Sequence, residues 1–190
     1  IRITMRNKKL LGTGVALITP FFEDFSIDFQ SLEKLINHVI QNNIDYVVVM
    51  GTTAESATLS LNEQDAVIDY VKKIINNRVP IVIGVGGNDT QQVLKRINSL
   101  SFDGIEAILS VTPYYNKPSQ EGLYAHYCEV ANYSPVDVIL YNVPSRTSVN
   151  INVDTVVRLA KKNKNIIGIK EASGDITQCM DLCAQCPGDF

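Results

Sequence analysis

The chain has 190 residues, with 17 Lys and Arg against 20 Asp and Glu and a formal net charge of −3. This mildly acidic, 45% hydrophobic composition is that of a soluble domain and excludes a polybasic nucleic-acid or membrane-surface binder. No run nears the roughly 18 apolar residues of a membrane helix, and the charged first ten residues lack an apolar segment behind them, so neither a span nor a secretion signal is expected.

The chain opens on Ile1, and Met5 reads as a candidate start. From there short β-branched runs alternate with helical patterns. The first run is 15–18. Asp28 then precedes Phe29, Leu32, Leu35, Ile36, Val39 and Ile40, apolar at helical spacing. The second run, 46–50, leads to Ser60-Leu61-Asn62-Glu63. That is a capping box, in which hydroxyl and carboxylate each satisfy an orphan backbone N–H. The stripe Ala66, Val67, Tyr70, Val71, Ile74 and Ile75 follows it. Runs at 81–83, 105–109, 136–140 and 166–169 continue the strands, and helices are expected over 89–100, 119–131, 152–162 and 175–183. Most runs are nearly continuous, as in strands covered on both faces.

A strand recurs about every 30 residues, the size of one βα unit. With no linker or low-complexity tract, residues 1–190 read as a single α/β domain. Two architectures fit, an open doubly wound sheet or a (β/α)8 TIM barrel. Eight such units need about 240 residues, close to the ~250 typical of the barrel. On the barrel reading the domain is truncated after about six βα units, without strands 7 and 8, and a fragment of a longer gene product is expected.

Cys128, Cys179, Cys183 and Cys186 do not make a disulfide framework in a chain of this size. The Cys-x3-Cys-x2-Cys spacing near the end has no His nearby as a fourth ligand, so no metal is expected. The four read as helix thiols in a reducing cytosol. Gly84-Val85-Gly86-Gly87 follows a strand but lacks the third glycine of a dinucleotide fingerprint. Neither a phosphate loop nor a Gly-x-Ser-x-Gly elbow occurs. His38 and His126 fall in helical patterns, where solvated or capped positions are the default. Tyr114, Tyr115, Tyr124 and Tyr127 have no basic surround and read as core or interface packing rather than base-stacking groups.

In either architecture ligands bind at the carboxyl ends of the strands. Those ends carry hydroxyls, one Lys and one Arg, and no His. Lys170 closes the run 166–169, so its stem is expected to start in an apolar wall. Desolvation there disfavours the ammonium, and a neutral amine can attack a carbonyl to form an imine. The bland alternative is a strand-end lysine that snorkels to solvent. Tyr141, at the end of the preceding strand, offers a phenol for proton transfer, or simply a packed ring. Thr52 and Thr53 could orient that phenol and hold a carboxylate, or serve only as a turn before the capped helix. Arg146 could clamp a carboxylate, or be a loop charge.

Four motifs in order resemble the dihydrodipicolinate synthase family, within the N-acetylneuraminate lyase superfamily. They are Gly51-Thr52-Thr53-Ala54-Glu55-Ser56, Thr112-Pro113-Tyr114-Tyr115-Asn116, Tyr141-Asn142-Val143-Pro144-Ser145-Arg146-Thr147 and Gly168-Ile169-Lys170-Glu171-Ala172. The resemblance runs from about residue 12 to the end. It implies a (β/α)8 barrel and a pyruvate-dependent lyase of lysine (diaminopimelate) biosynthesis that uses no cofactor beyond the covalent imine. By it, Lys170 forms the Schiff base, and Tyr141 is the acid/base in a relay with Thr52 and Tyr115, the latter reaching in from a neighbouring subunit of a homotetramer. Thr53 holds the pyruvate carboxylate and Arg146 receives L-aspartate 4-semialdehyde. Ser56, Ala57, Asn88 and Tyr114 match part of a lysine-effector site, from which Leu61, Gln64 and Gln92 depart. Ala54 stands where the family usually has glycine, a loss of backbone freedom. Other pyruvate aldolases of the superfamily share the lysine and tyrosine. The paired threonines and Ser145-Arg146-Thr147 favour the synthase. An inactive fragment is the alternative from outside enzymes.

Overall fold

The structure, a computed structural model, describes residues 6–190, so the candidate start at Met5 lies outside the described residues. Its strands are β1 (Gly14–Ala16), β2 (Tyr46–Val49), β3 (Ile81–Gly84), β4 (Ala107–Val111), β5 (Asp137–Asn142) and β6 (Ile166–Glu171). Its helices are α1 (Phe29–Gln41), α2 (Leu61–Ile75), α3 (Thr90–Ser99), α4 (Gln120–Tyr133), the one-turn α5 (Pro144–Thr147), α6 (Val153–Lys162) and α7 (Ile176–Gln185). Strand order follows chain order, as successive βα crossovers give. The chain packs as two compact units. One is Lys8–Gly84 with Phe102–Ala107; the other is Val85–Ser101 and Ile108–Phe190, with Arg6 and Asn7.

In the first unit β1 pairs with β2 and β2 with β3, both parallel. Asp28 starts α1 by accepting from the Ser31 amide at 3.0 Å. Phe29 packs against Tyr70 of α2 in a tilted contact with centroids 4.9 Å apart, and the Tyr70 hydroxyl donates to Glu33 at 2.8 Å. The capping box forms as read: Ser60 Oγ accepts from the Glu63 amide, and the Glu63 carboxylate accepts from the Ser60 amide at 2.8 Å. Ile36, Val47, Ile75, Val82 and Ile83 are fully buried, each burial contributing about 2 kcal/mol. Gly84 is forced by a close approach, since a Cβ there would lie 2.1 Å from the Met50 carbonyl oxygen. Its glycine therefore has a packing cause unrelated to a nucleotide.

The second unit continues the pattern. The Val85 amide donates to Leu109 of β4, the Thr112 amide to Tyr141 of β5, and β5 pairs parallel with β6. Asp89, Ser119 and Asp175 cap α3, α4 and α7 through their side chains. Ile108, Leu123, Val138, Leu140, Val156, Leu159 and Ile166 form the core. Tyr127 is buried among them, its hydroxyl donating to the Ser110 carbonyl at 3.0 Å, and burial pushes its phenol well up. Arg6 ties the chain's start into this unit, donating to the Ile166 carbonyl at 2.7 Å and pairing with Asp189 at 3.1 Å.

Three local expectations change. β4 begins at Ala107, because Ile105 closes a buried turn and the Glu106 amide already donates to Ile81. β5 and β6 run two residues beyond their apolar runs, through Asn142 and Glu171. His126 is neither solvated nor a cap: it is buried on α4, edge-on to Tyr127, with Nδ1 2.8 Å from Thr90 Oγ1. Burial pushes its pKa down to about 4. All four cysteines are free thiols: Cys128 on α4, Cys179 and Cys183 on α7, and Cys186 at its C-cap. No helix among the described residues is long and apolar enough to cross a membrane.

Candidate active site

The second unit brings the two sharpest sequence candidates together. In the β5–β6 ladder Tyr141 stands opposite Lys170, and Lys170 Nζ lies 4.5 Å from the centre of the Tyr141 ring. Tyr141 is 7% exposed. A cation over a tyrosine face is attracted by the ring quadrupole, by about 0.5–1 kcal/mol where solvent reaches it. Lys170 itself is exposed, contrary to the dry environment expected at the end of its apolar run. The reason is local. Among the described residues β6 has a hydrogen-bonded neighbour on one side only, and none of them lies within 4 Å of where a Cβ on Gly168 would be.

Behind this pair is a set of polar side chains to which the sequence reading gave no role. Asn142 follows Tyr141, Glu171 follows Lys170, and the two are again opposite each other in register. Successive strand side chains alternate faces, so this second pair projects away from the first. Asn142 is fully buried. Its Nδ2 donates to both Glu171 oxygens, at 3.1 and 2.9 Å, and to Asn150 Oδ1 at 2.7 Å; its Oδ1 accepts from the Ile151 amide at 3.1 Å. Glu171 also accepts from Gln178 Nε2 at 2.8 Å and from the Ser173 amide at 2.6 Å. Partial burial pushes the Glu171 carboxyl up, but the hydrogen bonds from Asn142, Ser173 and Gln178 together outweigh it and hold it below the usual range.

Arg146 is exposed on α5, the single turn that leaves β5. Pro144 starts that turn and Ser148, at φ 57°, ends it. Thr147 pins it, its hydroxyl donating to the Val149 carbonyl at 3.0 Å and accepting from Thr112 Oγ1 at 3.3 Å. Tyr115 is 83% exposed after β4, in a left-handed conformation at φ 73°. A bulky aromatic held there is strained, as residues at functional loops often are. Tyr114 and Asn88 are exposed as well, after β4 and β3.

In the first unit the segment after β2 forms two 3₁₀ turns, Thr52–Ala54 and Ser56–Thr58. Thr52, Thr53 and Ala57 are exposed and Ser56 is half-buried. Ala54 is buried and its carbonyl accepts from Thr19 Oγ1 at 2.8 Å. The left-handed residue is its neighbour Glu55, at φ 56°, so an alanine at 54 surrenders no backbone freedom that this turn uses. Gln64 holds the turns down, donating to the Ser56 and Leu59 carbonyls at 3.0 and 3.2 Å. That is a structural role at a position that departs from the effector pattern.

Among the described residues no group of three His, Cys, Asp or Glu is placed to hold a metal ion. The strand ends offer an amine, a phenol and hydroxyls.

Residues 9–190 match the model of the dihydrodipicolinate synthetase family. The 4-hydroxy-tetrahydrodipicolinate synthase of Flavobacterium psychrophilum is 54% identical over 95% of this chain and 61% of its own length. The solved synthase of Methylacidiphilum fumariolicum superposes with a TM-score of 0.90 at 43% identity, covering 94% of this chain and 59% of that one. That of Acinetobacter baumannii, complexed with pyruvate, does so with a TM-score of 0.90 at 42% identity, over 94% of this chain and 61% of that one. The chain thus spans about three fifths of the length of the relatives it matches, and its six βα units have the fold of these barrels. On its matched motifs, its fold and these likenesses, the chain belongs to the dihydrodipicolinate synthetase family.

Proposed function

We propose that this chain carries the imine-forming half-site of a lyase that condenses pyruvate with L-aspartate 4-semialdehyde, the 4-hydroxy-tetrahydrodipicolinate synthase reaction of lysine biosynthesis. The observation that carries the reading is the Lys170–Tyr141 pair, an amine 4.5 Å from the centre of a buried tyrosine ring at adjacent strand ends. Once its ammonium has given up a proton, the Lys170 amine attacks C2 of pyruvate, and loss of water leaves an imine. The Tyr141 phenol shuttles protons in those steps and as C3 loses a proton to give the enamine. Enamine C3 then bonds to the aldehyde carbon, whose oxygen takes up a proton. The amino group of the adduct closes on C2 and expels the lysine amine.

Thr52 and Tyr115 complete the proton relay, with Tyr115 acting across a subunit interface of a homotetramer. Thr53 binds the pyruvate carboxylate, and Arg146 binds the carboxylate of the semialdehyde as a bidentate donor. Ser56, Ala57, Asn88 and Tyr114 are the remnant of a lysine-effector site. The reaction needs no cofactor beyond the covalent imine, and the setting is cytoplasmic. Support for the pyruvate arm comes from the Acinetobacter baumannii relative, whose structure holds pyruvate.

The test is incubation of the chain with pyruvate and borohydride, followed by intact and peptide mass. A stable adduct on Lys170, absent in Lys170→Ala, is the expected result; a folded chain with no adduct rejects the imine reading. Among aldehyde partners, turnover of a sialic acid without semialdehyde condensation would move the chain to another aldolase of the superfamily.

A further inference from the structure

The Tyr141–Lys170 pairing depends on a register that β5 and β6 do not share along their whole length. Val138 faces Ile166, but Ile139 faces Gly168, so Ile167 is an extra residue on β6. Without that bulge, Tyr141 would face Ile169 and Asn142 would face Lys170. A one-residue slip turns every side chain to the opposite face of a sheet. Lys170 would then leave the face that Tyr141 occupies. Around the bulge the facing side chains are apolar, Val138 with Ile166 and Leu140 with Ile169, which suits either register. Downstream, the polar pair Asn142–Glu171 discriminates between them, because Asn142 stands opposite Glu171 and donates to both its oxygens in the observed one, while the Ser173 amide and Gln178, from the chain after β6, hold the Glu171 carboxylate in place. The same cluster fixes the segment after α5, through Asn150 and the Ile151 amide.

We propose that Glu171 and Asn142 are positioning residues: their cross-strand hydrogen bonds select the register that sets the Lys170 amine over the Tyr141 ring. Neither touches substrate. The inference rests on the imine reading only for what the pair is used for, since the register argument is geometric.

The test uses the chain labelled with ¹³C at the lysine ε carbons, with the Lys170 signal assigned from its loss in Lys170→Arg. A methylene over an aromatic face is displaced upfield by the ring current. Glu171→Gln keeps the shape but places an amide opposite an amide, and the upfield displacement of Lys170 is expected to be lost. The exchanged pair Asn142→Asp with Glu171→Gln restores a carboxylate–amide contact and is expected to recover the displacement. Gln178→Met, which removes one donor from a half-buried helix position, is expected to weaken it partially. A folded Glu171→Gln chain with the displacement intact overturns the proposal. If Glu171→Gln does not fold, a folded exchanged pair with no displacement overturns it instead. Borohydride trapping with pyruvate separates the two claims: a wild-type chain with a displaced Lys170 signal and no adduct rejects the imine reading and leaves the register assignment standing.

Discussion

The carboxyl ends of β2 and of the β5–β6 pair are held in opposite ways. After β2 the chain folds back on itself in two 3₁₀ turns, closed by backbone bonds between near neighbours, Ala54 to Gly51, Glu55 to Thr52 and Thr58 to Glu55. Gln64 adds two bonds from the first turn of α2, no more than eight residues away, and one long-range bond, from the Thr19 hydroxyl to the Ala54 carbonyl, joins them. The end of β5–β6 is held by side chains from four separate segments, with Asn142 and Glu171 29 residues apart in sequence. A local arrangement can present exposed hydroxyls to a small ligand and re-form quickly after it is disturbed. A long-range one fixes the relative placement of two groups that must meet, and loses it as a unit.

Substitutions at the two ends should therefore differ in size. Asn142→Ala removes donors from Asn150 and Glu171 and leaves the Ile151 amide unpaired in a buried site, which should cost about 3 kcal/mol. Gln64→Ala removes two bonds to carbonyls near the surface and should cost about 1 kcal/mol. Urea unfolding of the two variants measures both values. Equal losses would break the comparison.

Acid should act on the second unit first. His126 has its pKa lowered to about 4 by burial, from 6.5 in the unfolded chain. Between those values the unfolded state binds a proton that the folded state refuses, so stability is complete above pH 6.5 and falls as pH drops, by about 3 kcal/mol at pH 4. The lowered carboxyl of Glu171 has the same sign at lower pH: its contribution is present above the ordinary carboxylate pKa and is lost as pH falls through the folded value. His126→Gln should flatten the slope between pH 6.5 and 4, read from unfolding midpoints at several pH values, and Glu171→Gln should flatten only the part below the ordinary carboxylate value of 4.5. The capping-box Glu63 is fully exposed, so the β2 side should add little.

The sequence made the strand ends legible because β-branched runs stop where hydroxyls, Lys170 and Arg146 begin. The capping box and the Asp28 cap were legible because they are local. Lys170's surroundings were not, since its exposure depends on which strands flank β6. Nor was the face-to-face pairing with Tyr141, because a single extra residue at Ile167 changes the register count. Asn142, Asn150, Glu171 and Gln178 were in view as letters, but an isolated polar side chain reads as solvated, and only the fold shows that these four converge. His126 carried a usable signal: Leu123, Tyr127 and Val130 define the buried stripe of α4, and position 126 lies beside it at a spacing of three from Leu123.

A last substitution tests the family departure at Ala54. If the turn after β2 wanted a glycine there, Ala54→Gly would stabilise the chain. The backbone argues the reverse. Position 54 lies in a 3₁₀ turn with ordinary φ, the left-handed step is taken by Glu55, and the Ala54 methyl is buried. Glycine would remove that methyl, at about 0.8 kcal/mol, and would add freedom to the unfolded chain, at about 0.4–1 kcal/mol. Ala54→Gly should thus destabilise by about 1–2 kcal/mol in thermal unfolding. The Thr19 hydroxyl bond to the position-54 carbonyl should survive, because it involves backbone that the substitution leaves in place. A gain in stability would mean that the turn is under a strain its dihedral angles do not record, and that the hydroxyls of Thr52 and Thr53 are presented from a less settled support than local closure implies.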